Sequence, residues 1–267
     1  MNQALLTKHI RNRKSYLCVG LDTDPLLLPA HLKDRPDGVI EFNKAIIGAT
    51  LPYCVAYKIN TAFYEAMGAR GWEWMEETVR HIPEGYFKIA DAKRGDIGNT
   101  STQYARAFFE KMNFDAITVS PYMGADSVRP FLEFKNKFTI VLALTSNSGA
   151  ADFELQPCGE ELLYERVLRT VSSWGTTDQL MFVTGATRPE SFERIRTLVP
   201  DHFLLVPGVG FQGGSLAEVS RYGMNAHVGL LVNASRAIIY ASSGETFATA
   251  AAEIAQQYQF EMSGYLE

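Results

Sequence analysis

"YFKIADAK", residues 86–93, is an apolar run that ends on charge. Asp91 and Lys93 stand where the run stops, and Arg94 and Asp96 follow in the continuation "RGDIGNTS", which ends at residue 101. Taken alone, such a cluster reads as a solvated loop. The reading changes because the same form recurs along the chain. Runs rich in Val, Ile, Leu and Phe stand at "SYLCVGLD" (15–22), "CVAYKIN" (54–60), "AITVSP" (116–121) and "FTIVLALTS" (138–146). Three more follow at "QLMFVTGA" (179–186), "HFLLVPGV" (202–209) and "HVGLLVNAS" (227–235). Near-continuous apolarity of this length suits strands buried on both faces, as in a parallel sheet.

The segments between the runs carry helical spacing. "GVIEFNKAIIGATLPY" (38–53) gathers Val39, Phe42, Ile46 and Ile47 on one side, and "GEELLYERVLRTVSSW" (159–174) gathers Leu162, Leu163, Val167 and Val171. Eight strands alternating with helices predict a (β/α)8 TIM barrel. No Pro/Gly/Ser-rich linker interrupts the alternation, so residues 1–267 read as a single domain. The alternative is an open, doubly wound sheet. Against it, "VGLDTDP" follows the first run where a G-x-G-x-x-G turn would be expected.

Charge and composition narrow the function. A formal net charge of −5 without a Lys/Arg stripe argues against a nucleic-acid surface. A local cationic pocket for a small anion remains open. Cys18, Cys54 and Cys158 are odd in number and far apart, and the first two lie in apolar runs, so core packing is the better reading than a disulfide. The five histidines show no metal-site spacing, so no metal is expected. The opening residues are polar and broken by charge, and no apolar run approaches membrane-spanning length. These features predict no membrane association and a reducing compartment, most simply the cytoplasm.

In a barrel of this kind chemistry gathers at the carboxyl ends of the strands. Asp22 ends the first run, Lys58 and Asn60 the second, and Asp91 and Lys93 the third. Strand alternation points Asp91 and Lys93 to one side. With Lys58 from the neighbouring strand they predict an alternating Lys–Asp–Lys–Asp row, completed by Asp96 from the loop or from a partner subunit. Such a row costs desolvation energy unless each charge is paired, and its alternation favours the charged lysine. The charges alone leave two readings open: a positioned cationic acid, or an ion network tying two strands together. "PGVGFQGG" (207–214) and Arg236 favour the first. Closely spaced glycines let backbone N–H groups approach a ligand, and an arginine can clamp phosphate oxygens. Both lie at the seventh and eighth strand ends, where phosphate sites recur in such barrels.

These residues together resemble the orotidine 5′-phosphate decarboxylase family. The likeness covers nearly the whole chain, through "GLDTDP" (20–25), "YKINTAFYEA" (57–66), "DAKRGDIGNTS" (91–101), "TSNSGA" (145–150), "PGVGFQGG" and "NASRAIIYA" (233–241). The D-x-K-x-x-D-I-x-x-T core is its most specific part, and "KRGDIG" resembles the larger bacterial branch. The resemblance implies conversion of orotidine 5′-phosphate to UMP and CO2, the last step of de novo pyrimidine synthesis, without cofactor or metal. It implies that Asp22 bonds a ribose hydroxyl, Lys58 holds the ribose and the row, Asp91 adjoins the substrate carboxylate, and Lys93 protonates C6. It further implies that Asp96 and Thr100 reach a neighbour's ribose across a homodimer with shared active sites. Ser146 would read the pyrimidine edge, and Gln212, Gly213 and Arg236 would hold the 5′-phosphate. Two rivals stand beside it. A Mg²⁺-dependent keto-gulonate or hexulose phosphate enzyme shares the D-x-K-x-x-D core, but those enzymes resemble metal-dependent enediolate formers with a Glu near the end of the second strand, a neighbourhood that carries Lys58 here. A non-catalytic phosphosugar- or nucleotide-binding protein would keep only the phosphate site.

Overall fold

The computed structural model describes residues 1–210 and 213–266. Eight parallel strands follow the eight apolar runs: β1 (Leu17–Gly20), β2 (Ala56–Asn60), β3 (Phe87–Arg94), β4 (Ala116–Val119), β5 (Phe138–Leu144), β6 (Leu180–Thr184), β7 (Phe203–Pro207) and β8 (Leu230–Ala234). They pair in sequence order, and β8 returns to pair with β1, matching Leu17 with Val232 and Val19 with Ala234. That last pairing closes the barrel and excludes the open sheet.

Each strand is buried on both faces, which is why the runs lack polar alternation. Phe87 and Phe138, from β3 and β5, meet edge to face with ring centroids 5.5 Å apart. β3 shows the transition that matters for function. Phe87 to Ala90 are buried, and exposure begins at Asp91, where the charges begin.

Helices cover the barrel: α1 (Gln3–Arg13), α2 (Gly38–Thr50), α3 (Gly68–His81), α4 (Gly98–Arg106), α5 (Ala125–Leu132), α6 (Leu163–Ser172), α7 (Ser191–Leu198), α8 (Leu216–Gly223) and α9 (Phe247–Ser263). In α2 the predicted face is the buried one, with Val39, Phe42, Ile46 and Ile47 all inside. In α6 it is not. The helix starts only at Leu163, because Pro157–Cys158 and Glu161–Leu162 pair as a small antiparallel ribbon that turns through Gly159 at φ 72°. The inward residues are therefore Tyr164, Leu168 and Val171, while Leu162 and Val167 pack at the margin.

α1 lies across the amino ends of the strands, away from the charged ends. Gln3 Nε2 donates to the Asp201 carbonyl at 2.6 Å, and Thr7 Oγ1 to the His227 carbonyl at 3.1 Å. Its buried Leu6 and Ile10 close that side of the core. The opposite end stays open for chemistry. Among the described residues no helix is long and apolar enough to cross a membrane.

Candidate active site

The barrel register brings the charges together. Gly20 of β1 pairs with Lys58 of β2, and Asn60 pairs with Asp91 of β3. Asp22, two residues beyond β1, therefore comes level with the Lys58 ammonium. Lys58 Nζ lies 3.3 Å from Asp22 Oδ1 and 3.0 Å from Asp91 Oδ2. Lys93 Nζ lies 2.6 Å from Asp91 Oδ1. The row within one chain is thus Asp22–Lys58–Asp91–Lys93.

Asp91 and Lys93 meet on one side, but not through simple strand alternation. Between the pairings Ala90↔Ile117 and Arg94↔Val119, β3 advances four residues while β4 advances two. This bulge carries Lys93 in a left-handed conformation, φ 48°. Bulges re-aim side chains next to functional sites. Arg94 anchors the far side of the bulge: it pairs with Glu65 and lies over the rings of Tyr104 and Phe108.

The electrostatics follow from burial and pairing. Burial would push the Asp91 carboxyl up, but the Lys58 and Lys93 ammoniums outweigh it and hold it well below the usual carboxylate range. Burial would likewise lower Lys58, yet Asp22 and Asp91 outweigh it and raise its pKa. Asp91 and Lys58 are therefore locked in their charged forms at neutral pH. Lys93 differs from Lys58 in exposure: its side chain is 49% accessible, against 4% for Lys58. Lys58 is a fixed counter-charge, and Lys93 is the ammonium that can reach a ligand.

One cavity at this end is lined by Asp22, Lys58, Asp91, Gly208, Asn233 and Arg236, among others, and so joins three members of the charged row to the seventh and eighth strand ends; Lys93 stands outside its lining. Gly208, Gly210 and Gly213 all have positive φ (98°, 75° and 86°), which lets the loop after β7 fold on itself. Gly214 N–H donates to the Gly208 carbonyl at 3.1 Å, and Gly213 N–H to the Gly210 carbonyl at 2.8 Å. Arg236 opens a short helix, Arg236–Ile239, directly after β8. Gln212 lies outside the described residues.

Three predicted site residues stand apart from the row. Among the described residues no ion pair joins Asp96 to Lys93; the Asp96 carboxylate instead accepts from the Ile97 N–H at 2.8 Å. Thr100 is exposed in the first turn of α4. Ser146 follows β5 outside the lining of this cavity, and its carbonyl accepts from Thr187 Oγ1 at 3.3 Å. The long loop behind it is tied back by Glu154, which accepts from the Thr145 N–H at 2.7 Å.

Two residues escaped the sequence reading. Thr118 of β4 donates to Asp91 Oδ1 at 3.0 Å, and it was hidden as a lone hydroxyl in an apolar strand. Asn233 of β8 lines the cavity, with its Oδ1 buried and lacking a protein partner. It stood in the quoted "NASRAI" segment, where the arginine drew the attention.

Comparison with known proteins decides the family. Residues 15–251 match the model of the "Orotidine 5'-phosphate decarboxylase / HUMPS family". The chain belongs to this family. An orotidine 5′-phosphate decarboxylase of Phocaeicola vulgatus is 56% identical over 98% of this chain and 98% of its own length. The solved Leishmania donovani OMP decarboxylase is 35% identical, with a TM-score of 0.81, over 97% of this chain and 99% of that one. Leishmania donovani UMP synthase is 38% identical, with a TM-score of 0.83, over 96% of this chain, which spans only 56% of that longer protein. Full-length likeness to proteins bearing the decarboxylase name sets the chain with the enzymes of that branch.

Proposed function

We propose that this protein decarboxylates orotidine 5′-phosphate to UMP and CO2 in pyrimidine biosynthesis, with Lys93 as proton donor and without a cofactor. The observation that carries the reading is the Lys93 ammonium held 2.6 Å from Asp91 Oδ1, while Lys58 neutralises the other oxygen at 3.0 Å. A cation fixed in this way needs little reorganisation when negative charge develops beside it. As the C6–carboxylate bond breaks, its electron pair stays on C6 and CO2 departs. Lys93 then delivers a proton to C6, and the resulting amine regains one from solvent. Asp91, held ionised, holds the ammonium in place through its Oδ1 and lies next to the departing carboxylate.

The remaining groups bind and orient. Arg236 and the glycine loop after β7 suit the 5′-phosphate, Asp22 and Lys58 the ribose, and Ser146 the base. Phosphate contacts remote from C6 can supply binding energy that positions the ring. The barrel and its helices act as one domain in this reading.

A homodimer belongs to the same proposal. Among the described residues no hydrogen bond or ion pair joins Asp96 or Thr100 to their own row, yet they flank exposed apolar side chains: Ile97, Met123 and Tyr122, the last 87% accessible. The loops after β3 and β4 adjoin here, with Met123 Cε 3.7 Å from where a Cβ on Gly95 would sit. A patch of this kind suits a self-complementary contact that carries Asp96 and Thr100 into the neighbour's site. The cytoplasm is the proposed compartment; Cys18 and Cys54 are buried thiols rather than a disulfide.

The test is the fall in orotidine 5′-phosphate absorbance on mixing with dialysed protein, with and without EDTA. Conversion to UMP at the same rate in both supports cofactor- and metal-free chemistry. Conversion lost with EDTA would restore the metal-dependent rival. Tight UMP binding without conversion would leave a binding protein.

A further inference from the structure

The bulge at the end of β3 creates a problem that one residue solves. Lys93 sits in the left-handed region, φ 48°, which a long L side chain rarely adopts because its Cβ crowds the following carbonyl. Its N–H falls in the stretch where the β3–β4 register shifts, between Ala90↔Ile117 and Arg94↔Val119. The Thr118 hydroxyl accepts that N–H at 2.9 Å. The same hydroxyl donates to Asp91 Oδ1 at 3.0 Å. An ionised carboxylate can only accept, so the hydroxyl's one proton goes to Asp91 while an oxygen lone pair takes the Lys93 amide. Asp91 Oδ1 is also the oxygen that holds the Lys93 ammonium. Thr118 therefore grips Lys93 twice, at its main chain directly and at its ammonium through Asp91.

This is not the general fate of barrel hydroxyls. Thr139 and Thr184 are as deeply buried as Thr118, and their Oγ1 atoms have no hydrogen-bond partner. The barrel tolerates an idle threonine hydroxyl, but Thr118 uses both its donor and its acceptor at the site.

We propose that Thr118 is a positioning residue for the decarboxylation: it fixes the left-handed turn at Lys93 and the orientation of the Asp91 carboxylate, and so aims the ammonium. The inference rests on the reading of Lys93 as proton donor. Thr118 has no contact of its own with substrate in this role. Its loss lowers the rate of the chemical step and leaves substrate binding, which depends on the phosphate end, nearly unchanged.

The experiment measures kcat, KM and Tm for wild type, Thr118→Val, Thr118→Ser and Lys93→Ala with orotidine 5′-phosphate. Valine keeps the shape and loses both hydrogen bonds; serine keeps both. The expected result for Thr118→Val is a fall in kcat of roughly 10- to 100-fold, the worth of a hydrogen bond to a charged group, with KM changed by less than about threefold. Serine restores most of the rate. If valine does not fold, Thr118→Ala takes its place with the same expectation. A Val or Ala variant with wild-type kcat, while Lys93→Ala is inactive, overturns the positioning role alone. A serine variant as slow as valine also overturns it, because methyl packing would then be the cause. Absence of turnover by wild type, or full turnover by Lys93→Ala, overturns the proton-donor reading and this inference with it.

Discussion

At the scale of single residues, the site is a charge row whose members depend on one another. Lys58 is buried between Asp22 and Asp91, so removing it takes the ion-pair partner from Asp22 and leaves Asp91 with Lys93 as its one remaining cation in a poorly solvated place. Lys58→Met is expected to lower folding stability by roughly 3–5 kcal/mol, as for breaking one side of a buried pair; urea denaturation that showed less than about 1 kcal/mol would contradict the account. Asp91 adds a pH dependence with a definite sign. Its folded pKa lies below the unfolded value, so its contribution is complete above the unfolded pKa and is lost as pH falls toward the folded one. The stability difference between wild type and Asp91→Asn should be flat from about pH 5 to 8 and shrink below about pH 4. A difference that instead grew in acid would reverse the assignment. Asp91 and Lys93 were legible in the sequence because charge closes an apolar run. The bulge that joins them was not, since nothing in "DAKRGD" announces a left-handed residue.

At the scale of elements, close packing of glycines shapes the loop after β7, which the proposed function assigns to the 5′-phosphate. Gly214 packs so closely that a Cβ there would meet Ala186 Cβ at 2.5 Å and the Gly208 carbonyl at 2.8 Å. Gly214→Ala must therefore push this loop away from β6. The expected effect is a rise in KM of about tenfold with Tm lowered by only a few degrees, because the loop lies outside the barrel core. An unchanged KM would remove the loop from substrate binding. The glycines were readable from the sequence as closely spaced backbone freedom. The start of α6 was not: helical spacing over 159–174 concealed a ribbon, because Leu162 suits both a helix face and the margin of the core. The strands were legible for a simpler reason, since burial on both faces leaves an unbroken apolar run.

At the scale of the whole molecule, the barrel makes one end structural and the other chemical. α1 covers the amino ends, and every residue of the charged row stands at the carboxyl ends. Asp96 and Thr100 look incomplete in a single chain, so the account expects a homodimer by sedimentation. Tyr122→Lys should weaken that dimer and lower activity together. A monomeric wild type with full activity would contradict shared sites. The sequence could suggest this arrangement only by resemblance, because a contact between two copies leaves no periodicity in one chain.

The proposed chemistry turns on the Lys93 ammonium delivering the proton at C6. Its most direct test is single-turnover conversion of orotidine 5′-phosphate by wild type and Lys93→Ala, each first shown to be folded and to bind UMP. Rapid conversion by wild type is expected, with loss of nearly all conversion in Lys93→Ala while UMP still binds. Substantial turnover by the alanine variant would contradict it.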